Sequence, residues 1–216
     1  MKISDNKSKR KRIAVFASGN GSNLQALIEY SRTNDINGDI LIVFSNNADA
    51  YALKRAEESS IKTYCLSHSD FDSRKSFDRK ILELMAENKI DLICLAGYML
   101  LLSPEFIKEY QNRIINIHPS LLPSFKGMQG IKDAFDYGVK VTGVTVHFVD
   151  SELDNGPIII QKAVEILEND TIETLERKIH EVEHIIYPLA VEYFCKDLLE
   201  INGRKVSISE RKKIEN

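Results

Sequence analysis

The sequence predicts a single α/β domain: a Rossmann-like, three-layer α/β/α arrangement whose mostly parallel sheet takes antiparallel strands in its C-terminal half. Three observations carry this. Short apolar runs alternate with segments of helical spacing through the first half of the chain. Several of those runs are too apolar to be half-exposed, as strands covered on both faces must be. In the second half, the runs at 141–150 and 156–166 follow one another without room for a helix, which suits antiparallel or mixed pairing. A chain of 216 residues with 43% apolar content can bury one substantial core.

The elements follow in order. IAVFAS (13–18) reads as a buried strand, GNGSN as a tight loop, and LQALIEYSR as a helix. The unit recurs as DILIVFS (39–45) before ADAYALKRAEES, and as IKTYCL before FDSRKSFDRKILELMAENK. DLICLAG (91–97) precedes SPEFIKEY, which carries Pro104 at an early helical position, where its missing N–H costs nothing. RIINIH, VTGVTVHFVD and GPIIIQKAVEI read as strands. Residues 171–200 read as a long helix, with Thr171 as N-cap and Ile172, Leu175, Ile179, Val182, Ile186 and Leu189 as its buried stripe. INGRKV reads as a terminal hairpin turning at Asn202-Gly203. The expected domain spans residues 12–206, between a disordered basic tail (1–11) and a C-terminal tail (207–216).

Composition excludes several classes. A net charge of −3 gives no global basic field for non-specific nucleic-acid binding, so a bound phosphate must be held locally. Cys65, Cys94 and Cys195 are odd in number and far apart, suggesting neither a disulfide framework nor a cysteine-rich metal site, and a reducing cytoplasm fits best. The N-terminal MKISDNKSKRKR has charge but no apolar segment behind it, and nowhere do about eighteen apolar residues run together, so neither signal peptide nor membrane span is expected. The basic run from Lys9 to Arg12 is read as a solvated tail rather than a nucleic-acid arm.

Four stretches could carry chemistry. HEVEH (180–184) fits the zinc pattern H-E-x-x-H, against a bland reading of polar residues on the wet face of a helix. SGNGSN (18–23) places glycines before a helix N-terminus, whose unpaired amides favour an anion such as phosphate. A dinucleotide is disfavoured there, because Leu24 replaces the third glycine of G-x-G-x-x-G and the second strand ends in Ser45-Asn46-Asn47, without an acid for a ribose. In NIHPSLLPSFKG (116–127), Asn116 and His118 point to the same side of an extended strand, so an amide and an imidazole converge at its carboxyl end, while Pro119 and Pro123 stop the strand and stiffen the loop. VDSELDNGP offers Asp150, Glu152 and Asp154 before a turn. A solvated acidic turn is the default, but a carboxylate beside His118 would favour imidazolium and supply a proton donor.

SGNGSNLQALI, FDSRKSFD, LAGYM, NIHPSLLPSFKG, GVTVHFVDSELDNGPII and EHIIYPL resemble, in order and spacing, the phosphoribosylglycinamide formyltransferases of purine synthesis. The resemblance runs from Arg12 to about Val206 and implies the formyltransferase fold. It also implies transfer of formyl from 10-formyltetrahydrofolate to the amine of glycinamide ribonucleotide, with no metal, no nucleic acid and no membrane, by a monomer or homodimer. Motif by motif, it implies that Gly21, Ser22 and Asn23 bind the substrate phosphate and that Asn116, His118 and Asp154 form the catalytic group, Asp154 being the acid after Glu152-Leu153. It places Arg74 at the folate's glutamate end, Met99, Leu100, Leu101 and Leu102 around the pterin together with Asn116, and Glu183 at the substrate's amine side.

In that light only Glu183 of HEVEH is used and His180 completes the zinc pattern by coincidence; Pro188 should also disturb the helical turn that zinc ligation needs. Two departures stand out. Leu100 replaces an arginine frequent in the family, which predicts weaker grip on folate carboxylates, and Gln129-Gly130 replaces a histidine-containing segment. Rival readings are a methionyl-tRNA formyltransferase, a formyltetrahydrofolate hydrolase, a non-catalytic sugar-phosphate binder of the same fold, and a zinc protease.

Overall fold

Along β1 (Lys11–Phe16), Ile13 and Val15 pack into one apolar cluster and Ala14 and Phe16 into another, so alternate side chains are buried on opposite faces. This strand is central to a nine-stranded sheet of order β3-β2-β1-β4-β5-β6-β7-β9-β8 in the computed structural model, which describes residues 9–209. It pairs in parallel with β2 (Gly38–Ser45) and β4 (Leu92–Leu95), which pair in parallel in turn with β3 (Lys62–Cys65) and β5 (Ile114–His118). From β5 the sheet turns antiparallel through β6 (Val141–Phe148) and β7 (Ile158–Glu165). The hairpin β8 (Leu199–Asn202) and β9 (Lys205–Ile208) closes the edge, β9 joining β7 in parallel.

Helices cover both faces. On one lie α1 (Ser22–Thr33), α2 (Tyr51–Glu58) and the long α6 (Ile172–Cys195), whose Leu24, Ala52, Leu175 and Ile179 share the cluster of Ile13 and Val15. On the other, Phe77 and Ile81 of α3 (Arg74–Glu87) and Phe106 of α4 (Pro104–Glu109) pack on Phe16 and Phe44. Serine caps fix where these two helices begin: Ser73 and Ser76 form a reciprocal capping box, and Ser103 caps α4 ahead of Pro104. Thr171 caps α6 as its sequence indicates, here with Thr174 completing the box.

Several expectations are corrected. Lys11 opens β1, and Arg10 is held by Asp35, Asp39 and the Gly38 carbonyl, so the ordered chain begins before residue 12; residues 1–8 of the expected tail lie outside the described residues. Likewise Ser207 and Ile208 belong to β9, and 210–216 lie outside the described residues. The buried face of α6 centres on Leu175, Ile179, Glu183, Tyr187 and Val191, while Ile172, Val182 and Leu189 are only half-buried. An eight-residue helix, α5 (Gly130–Tyr137), follows the NIHPSLLPSFKG loop where none was anticipated, ending at Gly138 in the left-handed region.

Candidate active site

The chain from β1 leads through β2 and β3 to one edge of the sheet, and from β4 through β5 towards the other. At the carboxyl ends of β1 and β4 the connections therefore diverge, which opens a crevice of the kind where α/β sheets take ligands. The loops on its two sides are laced together: Ser18 N–H donates to the Gly97 carbonyl at 3.0 Å, and Met99 N–H to Ser18 Oγ at 2.9 Å.

On the β1 side, Gly21 has φ 76°, and a Cβ there would lie 2.7 Å from Ala52 Cβ, so glycine is needed both for the turn and for the approach to α2. Gly21 is also the N-cap of α1 and offers no side-chain cap, leaving first-turn amides for an external acceptor. Asn23 is buried; its Nδ2 donates to Glu183 Oε2 at 2.9 Å, while its Oδ1 meets no partner among the described residues. Arg55 of α2 donates to the Asn20 carbonyl and Oδ1 at 2.9 and 3.0 Å, placing a guanidinium on the loop. A cavity of about 500 Å³ flanks this loop, lined by Ser22, Arg55 and His184 among others.

The second cluster sits where β5 meets β6. Register pairs Asn116 directly with His147 and His118 with Thr145. Asn116 Nδ2 donates to His147 Nε2 at 3.2 Å, and His147 Nδ1 donates to the Phe148 carbonyl at 2.8 Å, so a carbonyl acceptor fixes the tautomer. Burial pushes the His147 pKa below its ordinary value, against the opposing pull of the Phe148 carbonyl and Asp154, and the ring stays neutral with its lone pair turned to Asn116.

His118, 4% exposed, donates from Nε2 to the Phe125 carbonyl at 2.8 Å; its Nδ1 is 3.5 Å from Asp154 Oδ2. That oxygen also accepts from Gly127 N–H at 2.8 Å, and Asp154 Oδ1 lies 3.8 Å from His147 Nε2. Asp154 takes φ 47°, a left-handed conformation that Asp tolerates and that concentrates at functional sites. Two residues on, the chain passes so close to β6 that a Cβ on Gly156 would fall 1.9 Å from the Phe148 carbonyl oxygen.

Residues 11–191 match the formyl transferase family. The chain is 42% identical over 190 residues to phosphoribosylglycinamide formyltransferase of Escherichia coli (strain K12), covering 88% of this chain and 90% of that protein. The chain belongs to the formyl transferase family. It is also 41% identical over 194 residues to phosphoribosylglycinamide formyltransferase of Bacillus subtilis (strain 168), covering 90% and 97% of the two chains. Among solved structures, glycinamide ribonucleotide transformylase 1 from Symbiobacterium toebii superposes with a TM-score of 0.91 at 44% identity, covering 94% of this chain and 96% of that one.

Within this formyl transferase, the residues singled out from the sequence fall into distinct groups. Asn116, His118 and Asp154 come together, and Gly21, Ser22, Asn23 and Glu183 gather at the other end of the crevice. Arg74 is drawn elsewhere: its guanidinium bonds the Leu101 carbonyl, sits 3.0 Å from buried Asp78, and lies over the Phe77 ring at 5.3 Å. Since Asp78 also accepts from Ser103 N–H, this arginine clamps the loop that holds Met99 to Leu102. Met99 and Leu101 expose apolar side chains there, whereas Leu100 and Leu102 pack on the core.

Sequence reasoning missed His147, Arg55 and Gly130. A polar residue inside the apolar run VTVHF was the available signal for His147. Gly130 lies against the His118 ring, since a Cβ there would sit 3.2 Å from His118 Nε2. In the HEVEH stretch, His180 Nδ1 bonds Glu183 Oε2 at 2.9 Å, and the His180 and His184 rings stack with centroids 6.3 Å apart.

Proposed function

We propose that this enzyme transfers the formyl group of 10-formyltetrahydrofolate to the amine of glycinamide ribonucleotide by direct attack through a tetrahedral intermediate. The observation that carries the reading is the meeting of Asn116 and His118 of β5 with Asp154 of the turn after β6, two segments far apart in sequence, in a crevice whose other end is an uncapped glycine loop. The phosphate is held by the amides of Gly21, Ser22 and Asn23, with Arg55 alongside. Glu183, bonded to Asn23 of that loop, holds the ribonucleotide near its phosphate end rather than at the reacting amine. Folate enters along the loop of Met99 to Leu102, where exposed apolar side chains and backbone groups suit a flat heteroaromatic ring; Arg74 shapes that loop and stands towards the glutamate end.

The substrate's neutral amine is the nucleophile, so no covalent enzyme intermediate is needed. Asn116 has a second N–H beyond the one given to His147, and that N–H faces the developing oxyanion. His118 joins it once Nε2 leaves the Phe125 carbonyl. Each well-placed donor is worth about 3 kcal/mol in the transition state. Asp154 orients the His118 ring from 3.5 Å and helps a water carry the amine proton to the departing folate nitrogen. Three free cysteines, two of them buried, suit a reducing cytoplasm, and among the described residues no helix is long and apolar enough to cross a membrane.

The test is to follow deformylation of 10-formyltetrahydrofolate with and without glycinamide ribonucleotide. Strict dependence on the ribonucleotide is expected. Equal rates without it would point to a hydrolase, and binding without turnover to a sugar-phosphate binder.

A further inference from the structure

Glu183 joins the glycine loop, α1 and α6 at a single atom. It is 4% exposed, and its Oε2 accepts from Asn23 Nδ2 and from His180 Nδ1, each at 2.9 Å. A buried carboxylate is tolerated only where hydrogen bonds or an opposite charge compensate it. Asn23 supplies a neutral donor. His180, with a side chain 48% exposed, exchanges protons with solvent and can supply a charged one. We propose that His180 is a positioning residue for the ribonucleotide end of the site, holding Glu183 in line with Asn23 and making ribonucleotide affinity depend on its own proton.

The inference rests on the phosphate-loop reading given above. With His180 protonated, the junction is near neutral and Asn23, tied to Glu183 through Nδ2, holds its backbone N–H toward the ligand. With His180 neutral, Glu183 leaves an uncompensated negative charge one residue contact from a loop that must accept a phosphate dianion. The surrounding charges favour the proton on His180. Glu183, then Glu176, raise its affinity for a proton on α6 itself, against the cost of burial. His184 stacks on it and is held below its usual value, chiefly by burial, with Glu29 of α1 and Arg55 of α2 acting on that second ring in opposite directions. The charges of α5, which also packs on α6, are exposed, Lys132 being paired with Asp136. Within the stacked pair the proton is therefore favoured on His180 over His184.

The test compares wild type with His180→Gln, which keeps a donor but cannot titrate, by calorimetric titration of glycinamide ribonucleotide from about pH 6 to about pH 8. Taking the ratio of the two affinities at each pH cancels titration of the phosphate and the amine. The ratio should fall about fivefold across that range, a modest coupling between two sites. In turnover, the KM for ribonucleotide should shift while kcat and the KM for folate stay put. By reciprocity, ligand should raise the midpoint of the His180 ring signals in the NMR spectrum of the wild-type protein, a readout that needs no variant. A flat ratio, or an NMR midpoint unmoved by ligand, overturns the proposal while leaving the formyl-transfer reading intact. Absence of ribonucleotide binding by wild type at every pH overturns both.

Discussion

Gly127 donates its backbone N–H to Asp154 Oδ2, the same oxygen that lies 3.5 Å from His118 Nδ1. One carboxylate oxygen therefore links the loop after β5, the turn after β6 and the imidazole. His118→Ala and Asp154→Asn should each lower turnover by roughly a hundredfold or more, the scale of a lost proton-transfer group, with thermal midpoints close to wild type. Near-normal steady-state rates in either variant would remove that residue from the mechanism.

Gly156 packs where any side chain would strike the Phe148 carbonyl. Gly156→Ala should therefore displace the turn that presents Asp154, costing about 1–3 kcal/mol of stability, as overpacking does, together with most of the turnover. Denaturant unfolding and kinetics on the same preparation check this; a variant with wild-type stability and rate would show that the turn adapts freely.

Ser22→Ala, which removes a side chain lining the cavity beside the loop, and Asn23→Ala, which cuts the loop's bond to Glu183, should act on the ribonucleotide alone, raising its KM by tenfold or so, the worth of about one hydrogen bond. The KM for folate should not follow. If ribonucleotide affinity is unchanged in both, neither side chain supports the ribonucleotide end of the site.

Burial holds the His147 imidazole below its ordinary value, so the unfolded chain takes up this proton more readily than the folded one. The corresponding stability is complete above the unfolded value of about 6.5 and is lost as pH falls below it. His184, also depressed mainly by burial, adds the same sign. His180, raised first by its bond to Glu183, opposes them, contributing below about 6.5 and losing its effect as pH rises through its folded value. His147→Asn should thus shrink the drop in Tm on acidification from pH ~7.5 to pH ~5.5, a window spanning the unfolded value. A drop as large as in wild type would mean that His147 does not titrate on unfolding.

Leu100 packs its side chain on the core beside a loop already clamped by Arg74. Leu100→Arg should restore a cation near the folate carboxylates and increase the preference for polyglutamylated over monoglutamyl folate severalfold, as exposed charge pairs of up to about 1 kcal/mol allow. Binding measured with both folates decides it: an unchanged ratio would place the glutamate tail elsewhere.

Most of the parallel half was legible because its strands, buried on both faces, announce themselves as unbroken apolar runs. The glycine loop and the Asn116–His118 pair were legible for local reasons, a turn that needs glycine and side chains two apart on a strand. What sequence could not supply was contact across strands. His147 matters because antiparallel register sets it opposite Asn116, and nothing within VTVHF encodes that register. Asp154 could be told from Asp150 and Glu152 only by resemblance. The helix α5 escaped notice because its eight residues give a weak periodic signal after a loop rich in turn formers. His180 looked incidental because its partner, Glu183, draws its importance from Asn23, 160 positions away.

The buried hydroxyl of Tyr187 donates towards the carbonyls of Leu95 on β4 and Ile115 on β5, at 2.8 and 3.2 Å. It stands one turn beyond Glu183 on the same helix and one residue before Asn116 in its contact with the sheet. Under the proposed assignment, the helix that holds the ribonucleotide is therefore bolted to the strand that carries Asn116 and His118, and the span between them is set by rigid elements rather than by loops. Such a crevice would gauge its ligand like a caliper: a ribonucleotide whose amine arm is a single methylene longer is expected to seat its phosphate, yet overshoot the reacting carbon.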